Sequence, residues 1–374
     1  MECSVDSHTE SSLIDPAEAV VRVASLASLQ HCSVANGTSD RMVALHVPAL
    51  EHSEAACSFL VASITKPIVA MAALRLAAEG EFHLVSRIGA LLPEFRKGAY
   101  RRITVRHLLT HTSGFPDMVP GNTELRRANA PLDDFLAQAA STELDFSTGT
   151  DCRYSSIGFL LLGTIVERVT EMPLRDFLHR EFFAPLEMSQ TWLGLPDDDA
   201  DSLMSNVYPS VLPDWMGMSD HDSSAWNWNS RYWRTLGAPW GGLMSSAEDL
   251  GNYAQMLLSE GTWGGRQIMP AAVVRTATCV QTDELFRARD FVGPRRPWGY
   301  GWRMQWPDHS ASFGDFLSPD TYGHWGATGT TMWVSPREQR FGVILTTTPY
   351  EVSQGPIQQI SNVIASSPFD VTGD

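Results

Sequence analysis

The stretch SITKPIVAMAALRLAAEG, residues 63–80, constrains this chain more than any other. From Ile64 to Ala78 its only polar residues are Thr65, Lys66 and Arg75. A helix that is apolar on nearly every side has to be enclosed by the rest of the protein. Pro67 falls in the first turn, where its missing N–H is tolerated, and Gly80 is placed to end the helix. The remaining chain must therefore wall this helix in. With 374 residues, 43% of them hydrophobic, it has the material for one large domain or two ordinary ones, and global disorder is excluded.

Several of the walls are legible. Residues 42–47, MVALHV, read as a short buried strand. Apolar residues at helical spacing occupy 131–140, 157–169 and 175–183. Residues 209–240 are rich in Trp, Asn, Asp and Ser and read as a long, aromatic-lined loop region, of a length that usually serves a site. Ser245-Ser246-Ala247-Glu248 opens a helix with a capping box, and Leu250, Tyr253, Ala254, Leu257 and Leu258 give it one apolar stripe. The β-rich runs 330–334 and 341–347 flank a turn and predict a hairpin. Ile357, Ile360 and Ile364 mark a last amphipathic helix. The order predicts an α+β fold, an α/β sandwich: an antiparallel sheet built from both chain ends, flanked by helices, with a largely helical insertion.

Composition removes several functions. The formal charge is −16, from 27 Lys and Arg against 43 Asp and Glu, without a basic cluster. Nucleic acid and a polybasic membrane contact are excluded as main partners. No window approaches the ~18 uninterrupted apolar residues of a membrane span. The five cysteines (Cys3, Cys32, Cys57, Cys152 and Cys279) are odd in number and form no C-x-x-C, so neither a disulfide framework nor a zinc knuckle is indicated. The opening MECSVDSHTESSLIDPAE has no apolar run, which predicts no secretory leader and a cytoplasmic protein. G-x-S-x-G, H-E-x-x-H, P-loop and dinucleotide fingerprints are missing. His221, between Asp220 and Asp222, has no second ligand pair nearby and reads as a solvated loop residue. His107 and His111, in ITVRHLLTHTSGF, lack an intervening Glu and read as packing or hydrogen-bonding residues.

Three places carry residues suited to chemistry. Ser63 and Lys66 are one helical turn apart on the same face. Desolvation on an apolar helix would weaken the ammonium, and an amine that deprotonates easily can activate the hydroxyl. The plainer alternative is an N-cap serine followed by a solvated lysine. Tyr154, at a loop-to-helix junction in YSS, would ionise more readily among cations and exchange protons; otherwise it is a half-buried tyrosine with a satisfied hydroxyl. His324-Trp325-Gly326-Ala327 leads into the hairpin. Gly326 allows close backbone approach, an exposed N–H there can stabilise an oxyanion, and His324 can donate to a substrate or to Tyr154. The alternative is a glycine-rich turn with a structural histidine.

In this order the three elements resemble the serine β-lactamase and penicillin-binding-protein superfamily, in its class C β-lactamase-like branch. That branch includes β-lactamases, DD-peptidases, D-aminopeptidases, family VIII carboxylesterases and acyltransferases. ITVRHLLTHTSGF, FSTGTDCRYSS and WGGLMSSAEDLGNYAQMLL are similar to three further landmarks, so the likeness runs from about residue 60 to 347. It implies a β-lactamase/transpeptidase-like fold. Ser63 would be the acylated nucleophile, Lys66 its activating partner and Tyr154 the general base and acid. The N–H groups of Ser63 and Ala327 would form the oxyanion hole, and His324 and Gly326 the wall of the third motif. Ser156 stands where an asparagine is usual, with an amide that bridges the lysine and a substrate carbonyl. His324 stands where β-lactamases carry lysine. Both departures are expected to weaken β-lactam hydrolysis while leaving acylation intact.

The expectation is a single catalytic domain over 1–374, with a sheet subdomain at about 17–65 plus 236–374 and a mainly helical one at about 66–235. Its activity would be that of a serine hydrolase forming an acyl-enzyme with a small-molecule ester or amide, with no metal or organic cofactor. The alternatives are a β-lactamase or D-amino-acid amidase or peptidase, an acyltransferase, and a non-catalytic binding protein of the same fold. Oligomeric state is not legible.

Overall fold

A strand with apolar side chains on both faces has to be covered on both, and strands from the two ends of this chain share that need. In the structure, a computed structural model that describes residues 15–47, 58–216, 226–287, 297–305 and 312–367, they lie side by side. β1 (Cys32–Gly37), β2 (Met42–Val47), β3 (Arg303–Met304), β4 (Tyr322–Gly326), β5 (Thr330–Ser335) and β6 (Arg340–Leu345) form one antiparallel sheet in the order β2-β1-β6-β5-β4-β3. Five helices frame it and the site: α1 (Pro16–Leu26), α2 (Thr65–Glu79), α3 (Ile157–Thr170), α4 (Ala247–Leu258) and α5 (Tyr350–Ser366).

Alternation along the strands divides the core in two. Val34, Trp333 and Ile344 join Val20 and Ala24 of α1 and Ile357, Ile360 and Ile364 of α5 in one cluster. Ala35, Met332, Val334, Phe341 and Val343 join Leu250, Tyr253 and Ala254 of α4 in the other. Trp333 pairs in register with Gly342, where a Cβ would stand 2.5 Å from the indole. The absence of a side chain there gives the ring its room, and the indole N–H donates to Ser361 Oγ at 3.1 Å.

The fold is the α+β arrangement that the element order predicts. Eleven of the fifteen residues of α2 are buried, and Gly80 ends it with φ of 90°. The α4 helix is capped by Ser246, whose hydroxyl accepts from Asp249 N, one residue later than the capping box places it. The run 175–183 is a helix, Leu174–Leu178, continuing into a π-turn, His179–Phe183.

Two expectations need correction. The strand at 42–47 is not the buried one: β2 is the outermost strand, with Val43 and Ala44 exposed. β1, with the weakly apolar sequence CSVANG, is buried instead because it is sandwiched between β2 and β6. The region 209–240 is not only loop, since it holds a short helix, Arg231–Leu236, and a 3-10 turn, Asp214–Met216; residues 217–225, with His221, lie outside the described residues. Among the described residues no helix is long and apolar enough to cross a membrane, and no group of three or more His, Cys, Asp or Glu could hold a metal.

The outer strand is tied to α4 by charge. His46 Nδ1 shares a hydrogen bond with Ser33 Oγ at 2.8 Å, and His46 Nε2 meets Glu248 Oε1 at 2.9 Å. The bond to Glu248 raises the imidazole pKa against burial, which lowers it. Burial, the largest single influence, raises the Glu248 carboxyl, but the bond to His46, a backbone hydrogen bond and the imidazole charge together outweigh it and the net shift is downward. The histidine contribution is therefore complete below its unfolded value of 6.5 and fades as pH rises through the raised folded value. The glutamate contribution is present above 4.5 and lost in acid. We expect His46→Leu to destabilise the protein more at pH 5.5 than at pH 8.5, by under about 1 kcal/mol because both groups are partly solvated. Urea denaturation of both proteins at the two pH values measures this, and an equal loss at both would remove the ionic component.

Candidate active site

Ser63 sits in a 3-10 turn, Ala62–Ile64, that runs directly into α2. Ala62 holds the left-handed φ of 46°, a strained geometry for a residue with a Cβ. Thr65 pins the turn by donating to Ala62 O at 2.6 Å and accepting from Leu243 N at 3.1 Å. Ser63 is left half-buried at the helix start. One turn on, Lys66 is 1% exposed, and its Nζ donates to Ser63 Oγ at 3.0 Å and to Trp240 O at 2.7 Å. Burial lowers its pKa to about 7; the Asp117 carboxylate works against that shift and the Arg126 charge adds to it. Residue 66 is thus a buried amine, not a solvated one.

Tyr154 closes the other side of this amine. Lys66 Nζ lies 4.7 Å from the Tyr154 ring centroid, and the phenol is hydrogen-bonded to Ser63. The ring packs against His111 at 4.8 Å and against Trp298 and His324 at 5.9 Å each. Burial pushes the phenol pKa far up, and the Ser63 bond and the Arg303 charge only partly oppose it. Of the two alternatives the sequence left open, desolvation favours the neutral tyrosine, because it outweighs the nearby cation. His111 makes the hydrogen bond expected of it, its Nδ1 accepting from Ser155 N at 3.0 Å, but it does so directly against Tyr154.

Ser156 is close by, but its hydroxyl is already committed. It is 2% exposed, and its N and Oγ both donate to Asp117 Oδ1, at 2.9 and 2.7 Å. The site thus brings in Asp117, which the sequence reading missed. It lies 39 residues before Ser156, and no spacing rule connects the two.

The sheet side is built by close backbone approach. A Cβ on Gly326 would stand 2.3 Å from Val61 O, so only glycine lets β4 lie against the serine turn. Thr330 Oγ1 donates to Val61 O at 3.0 Å and Thr328 Oγ1 to Leu60 O, fastening the strand to the same segment. Ala327 follows Gly326 and is exposed. His324 is 1% exposed; its Nδ1 donates to Trp325 O at 2.7 Å, and its Nε2 has no partner among the described residues. Burial, Arg303 and Lys66 hold its pKa well below the usual range. It therefore presents an acceptor nitrogen, not the donor expected from the sequence. A permanent cation is nevertheless present: Arg303, opposite Gly323 in the β3–β4 pair, lies 5.0 Å over the Trp298 ring and 5.2 Å over that of Trp325. Its place depends on strand register, which the sequence reading did not capture. A surface cleft of about 1110 Å³, lined by Tyr100, Arg101, Arg102, Glu143 and Phe146, contains none of these groups.

Comparison with known proteins agrees with this fold. The Beta-lactamase family matches residues 55–361. An N-acetylmuramyl-L-alanine amidase of Bacillus subtilis is 28% identical over 74% of the chain, which spans 65% of that relative's length. Esterase EstB of Burkholderia gladioli is 28% identical over 80% of the chain and 79% of its own. EstCE1, a hydrolase with promiscuous acyltransferase activity, shares the fold with a TM-score of 0.71 at 18% identity, over 94% of this chain and 97% of its own. The chain belongs to the Beta-lactamase family, with an esterase and an amidase among its relatives.

A buried lysine with a depressed pKa makes stability depend on pH. The folded value is near 7 and the unfolded one 10.5, so the cost of burying the charge is complete below pH 7 and fades as pH rises toward 10.5. Replacing Lys66 by Met should therefore shift stability upward most in acid. The difference between Lys66→Met and the unmodified protein, read by denaturant titration from pH 6 to 10, should fall steadily with pH. A flat difference would mean that the amine is not desolvated.

Proposed function

We propose that this protein is a serine hydrolase that forms an acyl-enzyme with a carboxylic ester or small amide. One observation carries the reading: the hydroxyl of Ser63 is bonded at once to the buried amine of Lys66 and to the neutral phenol of Tyr154. Neutral Lys66 takes the proton as Ser63 Oγ attacks the substrate carbonyl. The N–H groups of Ser63 and Ala327 receive the developing oxyanion, and the N-terminus of α2 favours its charge. Tyr154 passes its proton to the leaving oxygen or nitrogen and is reprotonated from Lys66. Water then enters by the same relay and releases the acid.

Arg303 favours a second reading, hydrolysis of an amide whose leaving group bears an acid. The missing lysine at position 324 is offset by this guanidinium one strand away.

Ser63→Ala should abolish labelling by a fluorophosphonate probe and lower p-nitrophenyl ester turnover by about 10⁴-fold or more. Lys66→Met and Tyr154→Phe should each be severely impaired, and the double variant little worse than either, because the two act as one relay. In the unmodified protein, kcat/KM should rise with pH through about 7 as Lys66 loses its proton. Labelling that persists in Ser63→Ala would locate the nucleophile elsewhere.

A further inference from the structure

Tyr154 can serve the reaction only while its phenol stays on Ser63, yet residues 151–155, which carry it, lie outside helix and strand. A residue that the proposed reaction does not use holds this segment. His111 takes a hydrogen bond on each side of Tyr154: its main-chain carbonyl accepts from Arg153 N at 3.0 Å, and its Nδ1 accepts from Ser155 N at 3.0 Å. Both N–H groups precede α3, whose N-cap is Ser156, so neither bond caps that helix. What the two bonds hold is the residue between them.

The imidazole is fixed as closely as the chain. Its centroid lies 4.8 Å from that of Tyr154, 5.3 Å from Phe159 and, edge-on, 4.3 Å from Trp298, and His111 is 1% exposed. Its backbone takes the left-handed φ of 59°, a strained geometry for a residue with a Cβ, which persists only where the surroundings enforce it.

The accepting Nδ1 puts the ring proton on Nε2 and makes the imidazole neutral. Burial, with the Lys66 and Arg303 charges, holds the His111 pKa well below its usual value. The acceptor therefore survives the pH range in which Lys66, with a value of about 7, titrates. A ring that only filled space between Tyr154, Phe159 and Trp298 could be a phenyl ring; Nδ1 is what a phenyl ring lacks.

We propose that His111 is a positioning residue: through the Ser155 N–H, its Nδ1 sets the Tyr154 phenol where it can protonate the leaving group. This deepens the serine-hydrolase reading and rests on it. In that step the bond from the tetrahedral carbon to the leaving oxygen breaks and the carbonyl of the acyl-enzyme re-forms. The departing oxygen keeps the electron pair and takes the phenol proton, which Lys66 replaces. A misplaced phenol costs most where the leaving oxygen is most basic.

The test compares phenyl butyrate with p-nitrophenyl butyrate, which share an acyl group; phenoxide is the more basic leaving group. For both, kcat/KM reports acylation. His111→Phe keeps a ring without the acceptor. His111→Asn keeps an acceptor at the Nδ1 position without the ring, and asparagine tolerates a left-handed φ. In His111→Phe, kcat/KM should fall at least about tenfold further for the phenyl ester than for the nitrophenyl ester. His111→Asn should bring the ratio of the two back near that of the unmodified protein. Added to Tyr154→Phe, His111→Phe should change either rate by less than about twofold, because the residue through which it acts is gone.

A general loss of folded protein lowers both esters alike and cancels in the ratio. An equal fall for the two esters, a ratio disturbed as much by asparagine as by phenylalanine, or a full further loss on the Tyr154→Phe background overturns the assignment. An unmodified protein that turns over only the nitrophenyl ester has no assisted departure and overturns it as well. Fluorophosphonate labelling separates the two failures: labelled Ser63 with an unmoved ratio sinks the role of His111 alone, and unlabelled protein sinks the hydrolase reading with it.

Discussion

An amine taken out of water is the condition that the rest of the molecule serves. Lys66 is enclosed on a helix with almost no polar face, and such burial is tolerated only where the amine can hydrogen-bond or lose its proton. Ser63 and the carbonyl of Trp240 supply the bonds, and the rings of Tyr154 and Phe159 stand 4.7 and 6.0 Å away. These groups come from places far apart in the chain. The helix cannot be enclosed without also assembling the site, so packing and chemistry make the same demand.

Much of this was readable in the amino-acid order because it rests on local rules. The apolar helix, its glycine stop, the one-turn spacing of Ser63 and Lys66, and the C-terminal hairpin depend on periodicity and turn chemistry within a few residues. What was not readable depends on distance across the fold. β1 has no apolar pattern of its own and is buried only because two other strands flank it. Asp117 is defined by its partner 39 residues away, and Arg303 by the register of a two-residue strand. The phenol of Tyr154 shows the same limit: neighbours in sequence say nothing about how completely a hydroxyl will be desolvated.

The two charges that escaped the sequence reading divide the cleft electrically. Asp117 is carried by a loop bonded to the start of α3, and Arg303 by the sheet edge. Tyr154 feels both, with opposite sign. His111 and His324, each buried and held below its usual pKa, add no net charge between them. The site therefore keeps a dipolar field around an amine that sheds its proton near pH 7, an arrangement that in the proposed reaction would stabilise forming charge more than charge already present.

The fastening of the serine turn by Thr328 and Thr330 also bears on how the protein is made. Ser63 and the threonines that brace its turn are far apart in the chain, with 268 positions separating Leu60 from Thr328. A ribosome must synthesise more than 320 residues before the turn meets its brace, because β4 and β5 do not exist earlier. A nascent or truncated chain thus carries Ser63 and Lys66 without the strands that hold their turn in place.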